Sequence, residues 1–330
     1  MSVVQPRPVG QEGALEHLER MAASRSAGDA RGMPHALLFA GPSGVGKYPS
    51  AVWWARLLKC REGGLCSPAC ADCKRIAAGT HPDVAVLAPQ APGKAIGIDE
   101  VRELIRLMSL KCVGRGPRIA IVRDAHELTH EGQSAFLKLL EEPPGSAVIV
   151  LVTENPAGLL QTVRSRCQTV RFGAVPVADV VNWLVTSGRA PDDARRAAAL
   201  SMGSVGRALS LTPELIEDRN QLIASIEAVP SADPGELEQR MSDLVERKKQ
   251  GRAGLEELFQ ATMQRLEAVL GGETGADSSA LAGPDGDTAA GNPLGLLRRA
   301  ERIRWTLDAL DRNANAKLAI RDLLLDLENG

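Results

Sequence analysis

The chain has 330 residues, 44% of them hydrophobic and only 3% aromatic, with a formal charge of −2 at pH 7. On a soft prior of about 150 residues per domain, that length implies two or three domains whose cores are built mainly from Leu, Val, Ile and Ala. The balanced charge and few aromatic residues argue against a stand-alone nucleic-acid-binding module, including a zinc-dependent one, and no apolar run approaches the ~18 residues of a membrane span. The chain therefore reads as cytoplasmic, with no membrane partner.

The opening stretch, "MSVVQPRPVGQEGALEHLERM", has no apolar leader-like run. From Pro34 onward, short apolar runs alternate with helical patterns, which is the signature of a parallel sheet wrapped by helices. "HALLFAG" reads as a strand that enters the glycine loop "GPSGVGKYPS". "DVAVLAP", "RIAIVRD" and "AVIVLVTEN" read as further strands, rich in Val and Ile, with "CQTVRF" the last. Between them, "IDEVRELIRLMSL" and "HEGQSAFLKLLEEPP" read as helices, the second stopped by Pro143 and Pro144.

After about Phe172 the pattern becomes wholly helical. "VADVVNWLV" through "GSVGRALSL" suggests a small helical bundle. Further on, Leu255, Leu258, Phe259, Met263, Leu266 and Leu270 recur at helical spacing, as do Ile303, Leu307, Leu310, Ala314 and Leu318. The Gly/Ala/Asp-rich tract at about 271–293 carries too little apolar surface to offset its ordering entropy, and it reads as a disordered loop.

Three patterns carry chemistry. The first is the loop Gly41, Gly44, Gly46 and Lys47, placed after a strand and opening a helix, where backbone N–H groups and a helix N-terminus receive phosphate oxygens. A complete phosphate-binding loop continues with Ser or Thr, whose hydroxyl holds magnesium; here that position is Tyr48, whose hydroxyl lies at the far end of a ring. The supporting acid is Asp124 at the end of "RIAIVRD", but Ala125 stands where a glutamate would activate water, and losing a general base typically costs ~10²–10⁴ in rate. ATP binding is thus a degenerate possibility, and two lesions in one chemical unit argue against hydrolysis.

The second pattern is the thiol cluster Cys60, Cys66, Cys70 and Cys73, spaced C-x5-C-x3-C-x2-C. Four thiolates without an open position fit a closed, structural zinc site, and a reducing compartment favours metal over disulfides. His81 reads as a turn residue outside this set, and Cys112 and Cys167 as small buried residues. The third pattern is "VRSRCQTVRF", which places Arg166 in the turn before the last strand.

Together "VGQ", "PHALLFAGPSGVGK", the four-cysteine insertion, "AGTHPDV", "IGIDEVREL", "LLEEPP", "SRC" and "GSVGRAL" resemble the AAA+ clamp-loader family of bacterial DNA polymerase III, the delta-prime group in particular. The resemblance runs from Val9 to about Leu209, and "LDRNANAKLAIRDLLLDL" is a looser match to the family's last collar helix. In the family the cysteine spacing is usually C-x8-C-x2-C-x2-C.

The resemblance implies an α/β fold in three parts. They are an AAA+ P-loop parallel sheet domain over 1–173 with an inserted zinc module at 60–73, a helical lid over 174–212, and an all-helical collar over 213–330 that oligomerises. It implies that Arg166 is an arginine finger acting in trans on ATP held by a neighbour, that Thr153 lies near sensor 1 and that Arg207 lies at sensor 2. The implied role is a non-hydrolysing stator subunit that helps load the sliding clamp onto primed DNA, with gamma/tau and delta subunits as partners. The chain would then be one part of a DNA polymerase III holoenzyme, a nucleotidyltransferase, without ATPase activity of its own. The alternative is an active ATPase of the gamma/tau type, disfavoured by Tyr48, by Ala125 and by the absence of a "KYRP"-like opening.

Overall fold

A computed structural model of the chain describes residues 7–26, 34–217 apart from 65, 67–69 and 92, and 297–306 apart from 299. It divides into two units, Met1–Ser210 and Leu211–Gly330.

The first unit is an α/β structure around a five-stranded, all-parallel sheet. Its strands are β1 (Ala36–Ala40), β2 (Val84–Leu87), β3 (Ile119–Val122), β4 (Val148–Thr153) and β5 (Gln168–Arg171), in the spatial order β2-β3-β4-β1-β5. Every strand expected from the sequence is present. Parallel strands covered on both faces need apolar side chains in both directions, which is why β1, β3 and β4 read as unbroken apolar runs and are buried throughout. Alternation appears only in what they touch. Leu37 and Phe39 of β1 join Val148, Val150 and Val152 of β4 on one face, whereas Ala36, Leu38 and Ala40 join Ile149 and Leu151 on the other.

The first face is covered by α1 (Glu12–Ser26) and α2 (Lys47–Lys59), with Trp54 fully buried and its indole donating to Leu18 O at 2.9 Å. The second is covered by α4 (Ile98–Met108) and α5 (His130–Glu141), through Val101, Leu104, Met108, Phe136, Leu139 and Leu140. These two helices follow the apolar spacing of their sequences. Thr129 caps α5 by accepting from Gly132 N, and α5 ends two residues before Pro143. Between the sheet elements lie two short helices, α3 (Ala71–Ala77) and α6 (Gln161–Arg164). Three more, α7 (Val177–Thr186), α8 (Pro191–Leu200) and α9 (Val205–Ser210), form the small helical segment expected after the sheet.

In the second unit, residues 213–217, 297, 298 and 300–306 are helical, and Ile303 of the expected apolar stripe is buried. The remaining stripe positions and the 271–293 tract lie outside the described residues. Among the described residues no helix is long and apolar enough to cross a membrane.

Candidate functional site

The glycine loop joins β1 to α2 and lies at the ends of β3 and β4. Gly41 N donates to Thr153 O at 3.3 Å, tying the loop to β4, while Asp124 follows β3 in a left-handed conformation with φ 49°. Thr153 itself is fully buried; its hydroxyl lies 3.2 Å from His126 Nδ1 and accepts from Asn155 N. The start of α9 closes the other side. Gly206 N donates to Gly44 O at 2.9 Å, and a Cβ on Gly44 would meet Ser204 Oγ at 2.2 Å. With φ at +70° as well, Gly44 is a position where only glycine fits without displacement. Arg207 is half-buried at this contact, its backbone N–H bonded to Ser204 Oγ. Gly41, Gly44, Gly46, Lys47, Asp124, Thr153 and the backbone of Arg207 are thus gathered in one region.

The loop is closed on its own groups. Lys47 is buried, and its ammonium donates to the carbonyls of Gly41, at 2.7 Å, and Pro42. Burial lowers its pKa against the opposing pull of Glu154 and Asp124. Tyr48 packs against the core, and the Arg123 guanidinium lies 4.6 Å above its ring, a cation–π contact. Gln11, from the "VGQ" stretch, bonds across the back of the loop, donating to Val45 O and to Gly173 O and accepting from Gly173 N. Gln11 is marked in the sequence only as part of the "VGQ" match, and Arg123 not at all, since nothing local marks a strand-end Arg as a contact to a loop far along the chain.

At the other end of α2, the four cysteines converge, with sulfurs all within 4.8 Å of one another. Cys66 and Cys73 Sγ are 3.5 Å apart and Cys70 and Cys60 Sγ 3.9 Å. A tetrahedral site with Zn–S of about 2.3 Å has sulfur–sulfur edges of about 3.8 Å, so the set fits a four-thiolate ion. Glu62 N and Cys70 N each donate to a sulfur, at 3.4 and 3.3 Å, as turns that hold thiolates do. Burial pushes the Cys73 thiol up, with Arg56 pulling the other way. The four cysteines can hold a metal such as zinc.

His81 is not in this set. It is buried, its Nδ1 accepting from Asp83 N at 3.1 Å and its Nε2 3.5 Å from Asp72 of α3. Asp83 anchors a buried charge cluster: it accepts from Lys59 Nζ at 2.9 Å, Arg118 at 3.2 Å, and the backbone N–H groups of Val113 and Gly114. Cys112 corrects the sequence expectation of burial. It is exposed, because the glycine-containing turn that wraps Asp83 lies at the surface, and its Sγ sits 3.3 Å from Lys59 Nζ. Cys167 is half-buried, and that burial pushes its thiol up to about 12.

Arg166 lies well apart in sequence from the loop, in the turn between α6 and β5. One arm of its guanidinium donates to Thr162 O at 3.0 Å and the other pairs with Glu141 at 2.5 Å. The "LLEEPP" and "SRC" stretches therefore meet in space, a contact that their 25-residue separation hides.

The model of the family described as "DNA polymerase III, delta subunit" matches residues 10–176. The chain is 34% identical over 200 residues to a DNA polymerase III subunit delta' of Pseudomonas aeruginosa, covering 58% of this chain and 60% of that protein. Against the Escherichia coli subunit delta' the figures are 37% over 196 residues, 58% of each. It is also 35% identical over 150 residues to a gamma/tau subunit of Mycobacterium tuberculosis, covering 45% of this chain and 26% of that one. The chain spans about three fifths of the length of the subunit delta' relatives it matches.

Proposed function

The chain belongs to the DNA polymerase III delta-subunit family, in which its relatives include delta-prime subunits, and from that premise we propose that it is a non-hydrolysing stator of the clamp loader. In this role it assembles with gamma/tau and delta subunits through its C-terminal region and helps place the sliding clamp on primed DNA. The supporting observation is the closed loop: Lys47 is satisfied by its own loop carbonyls, and the ring of Tyr48 stands, packed and covered by Arg123, where a magnesium-binding hydroxyl belongs. A loop so organised holds shape without needing a triphosphate. The domain parts 1–173, 174–212 and 213–330 then serve as sheet domain, lid and collar.

Chemistry would pass to a neighbour. Arg166 is exposed enough to reach across an interface, and a guanidinium keeps its charge and planar fork while stabilising charge on a transferring phosphoryl group, an effect of ~10³–10⁵ in other systems. Cys60, Cys66, Cys70 and Cys73 would hold a structural zinc ion in this reading, which would cross-link the turns that carry them to the end of α2.

The gamma/tau match keeps an active ATPase as the second reading. The test is turnover by a reconstituted complex and by the chain alone. The stator reading expects none from the chain alone, and DNA-dependent hydrolysis at a neighbour that falls when Arg166 becomes Ala while assembly persists. Turnover by the isolated chain, abolished by Lys47→Ala, would establish the second reading instead.

A further inference from the structure

We infer that Arg56 is the countercharge of the four-cysteine centre, the residue that makes a buried metal–thiolate unit tolerable and sets its affinity. The inference rests on the metal reading of the cysteines and goes beyond it, to a residue on a different element.

Four thiolates and one divalent ion sum to a charge of −2, and three of the four cysteines are buried. A net charge taken out of water is costly unless opposite charge or N–H dipoles replace the lost hydration. Two backbone N–H groups, of Glu62 and Cys70, already face sulfurs. They supply dipoles, not charge.

Arg56 supplies charge from one helical turn before Cys60, whose N–H bonds to Arg56 O at 2.8 Å. The side chain is 3% exposed, an unusual state for arginine. Its guanidinium donates to Gly64 O at 3.0 Å, inside the turn between the first two cysteines, and its charge acts on the Cys73 thiol against the upward push of burial. One buried cation thus ties the helix to the turn that carries the first two ligands. The nearby cations cannot take its place: Lys59 is committed to Asp83, and Arg61, Lys74 and Arg75 are exposed. With Arg56 counted, the loaded centre carries −1 in place of −2. The dependence is mutual, because the buried guanidinium needs the thiolates as much as they need it.

The experiment uses the full chain and cobalt(II) as a spectroscopic probe of the thiolate site, with zinc competition for affinity. Three variants beside the wild type separate charge from shape: Arg56→Lys with charge alone, Arg56→Gln with donors but no charge, and Arg56→Met with neither. The wild type takes up one ion with a tetrahedral, thiolate-type spectrum. Gln and Met weaken binding by about 10–100-fold, the usual scale for losing an outer-sphere partner, without changing the shape of the spectrum. Lysine recovers much of that loss. Should Met fail to fold, the comparison of Gln with Lys decides alone. Equal affinity for Gln and wild type, or for Lys and Gln, overturns the countercharge role. A wild type that takes up no ion fails earlier, at the metal reading itself, and takes the inference with it.

Discussion

A single helix, α2, carries a candidate site at each end, and the two have kept opposite things. At its N-terminus the glycine loop keeps the backbone of a phosphate cradle, with Gly44 pinned against α9, but Tyr48 replaces the hydroxyl that the chemistry requires. At its C-terminus the cysteines are unevenly spaced along the chain, C-x5-C-x3-C-x2-C, yet their sulfurs converge to near-tetrahedral separations. A cradle made of main chain depends on φ values and close approach, and a reactive hydroxyl can be lost without disturbing either. The geometry of a thiol site depends on where four sulfur atoms end up, so the turns between them are free to change length. Shape and competent chemistry are therefore separable, in different directions at the two ends.

Four measurements press on that contrast. The largest effect belongs to the thiol end. Cys73→Ser removes the ligand that is fully buried, and metal content should fall from one ion per chain to near zero. Full occupancy in that variant would show that the sulfurs do not act as a set.

Next comes the Asp83 cluster, which holds the C-terminus of α2. Asp83→Asn leaves Lys59 and Arg118 buried without their carboxylate, and unfolding should become easier by about 3–5 kcal/mol in urea titrations. Burial alone would raise the Asp83 pKa, but the Val113 N–H, the Lys59 ammonium and the Gly114 N–H together hold it well below the carboxylate range. The sign follows: the folded pKa is depressed, so this stability is present above the unfolded value of about 3.9 and is lost as pH falls through the folded value. A variant as stable as the wild type at pH 7, or a wild type without extra acid sensitivity relative to Asp83→Asn, would break the argument.

Gly44→Ala should cost less, about 1–3 kcal/mol, since it combines a left-handed φ with contact against Ser204. Faster hydrogen exchange should be confined to the loop and α9. Exchange that is unchanged there would mean that the loop and α9 are not held together by this approach.

Lys47→Ala should have the smallest effect. Its ammonium meets only loop carbonyls, so clamp loading by a reconstituted complex should stay near wild type, within about twofold for a hydrogen-bond loss of order 0.5–1.5 kcal/mol that leaves the fold intact. A tenfold or larger drop in loading would show that a nucleotide at this loop matters.

The three inner strands β1, β3 and β4 were legible in the chain because a strand buried on both faces must be apolar at every position, whereas the edge strands β2 and β5, partly exposed, were legible from their short Val-containing runs and their place in the alternating pattern. The loop and the cysteine cluster were legible too, because both are local: their groups lie within a few turns of one another in sequence. What the sequence did not disclose was long-range. Gln11 bonding Gly173, Gly206 meeting Gly44, Glu141 pairing with Arg166, and Asp83 gathering Lys59 and Arg118 each join segments that have no local sign of one another. Cys112 failed for the same reason, since a small thiol looks apolar until the turn that carries it is placed at the surface. Composition and periodicity determine which residues must leave water; which polar group then meets which is decided only when the sheet order brings distant segments together, because each such pairing has to satisfy a specific buried donor or charge.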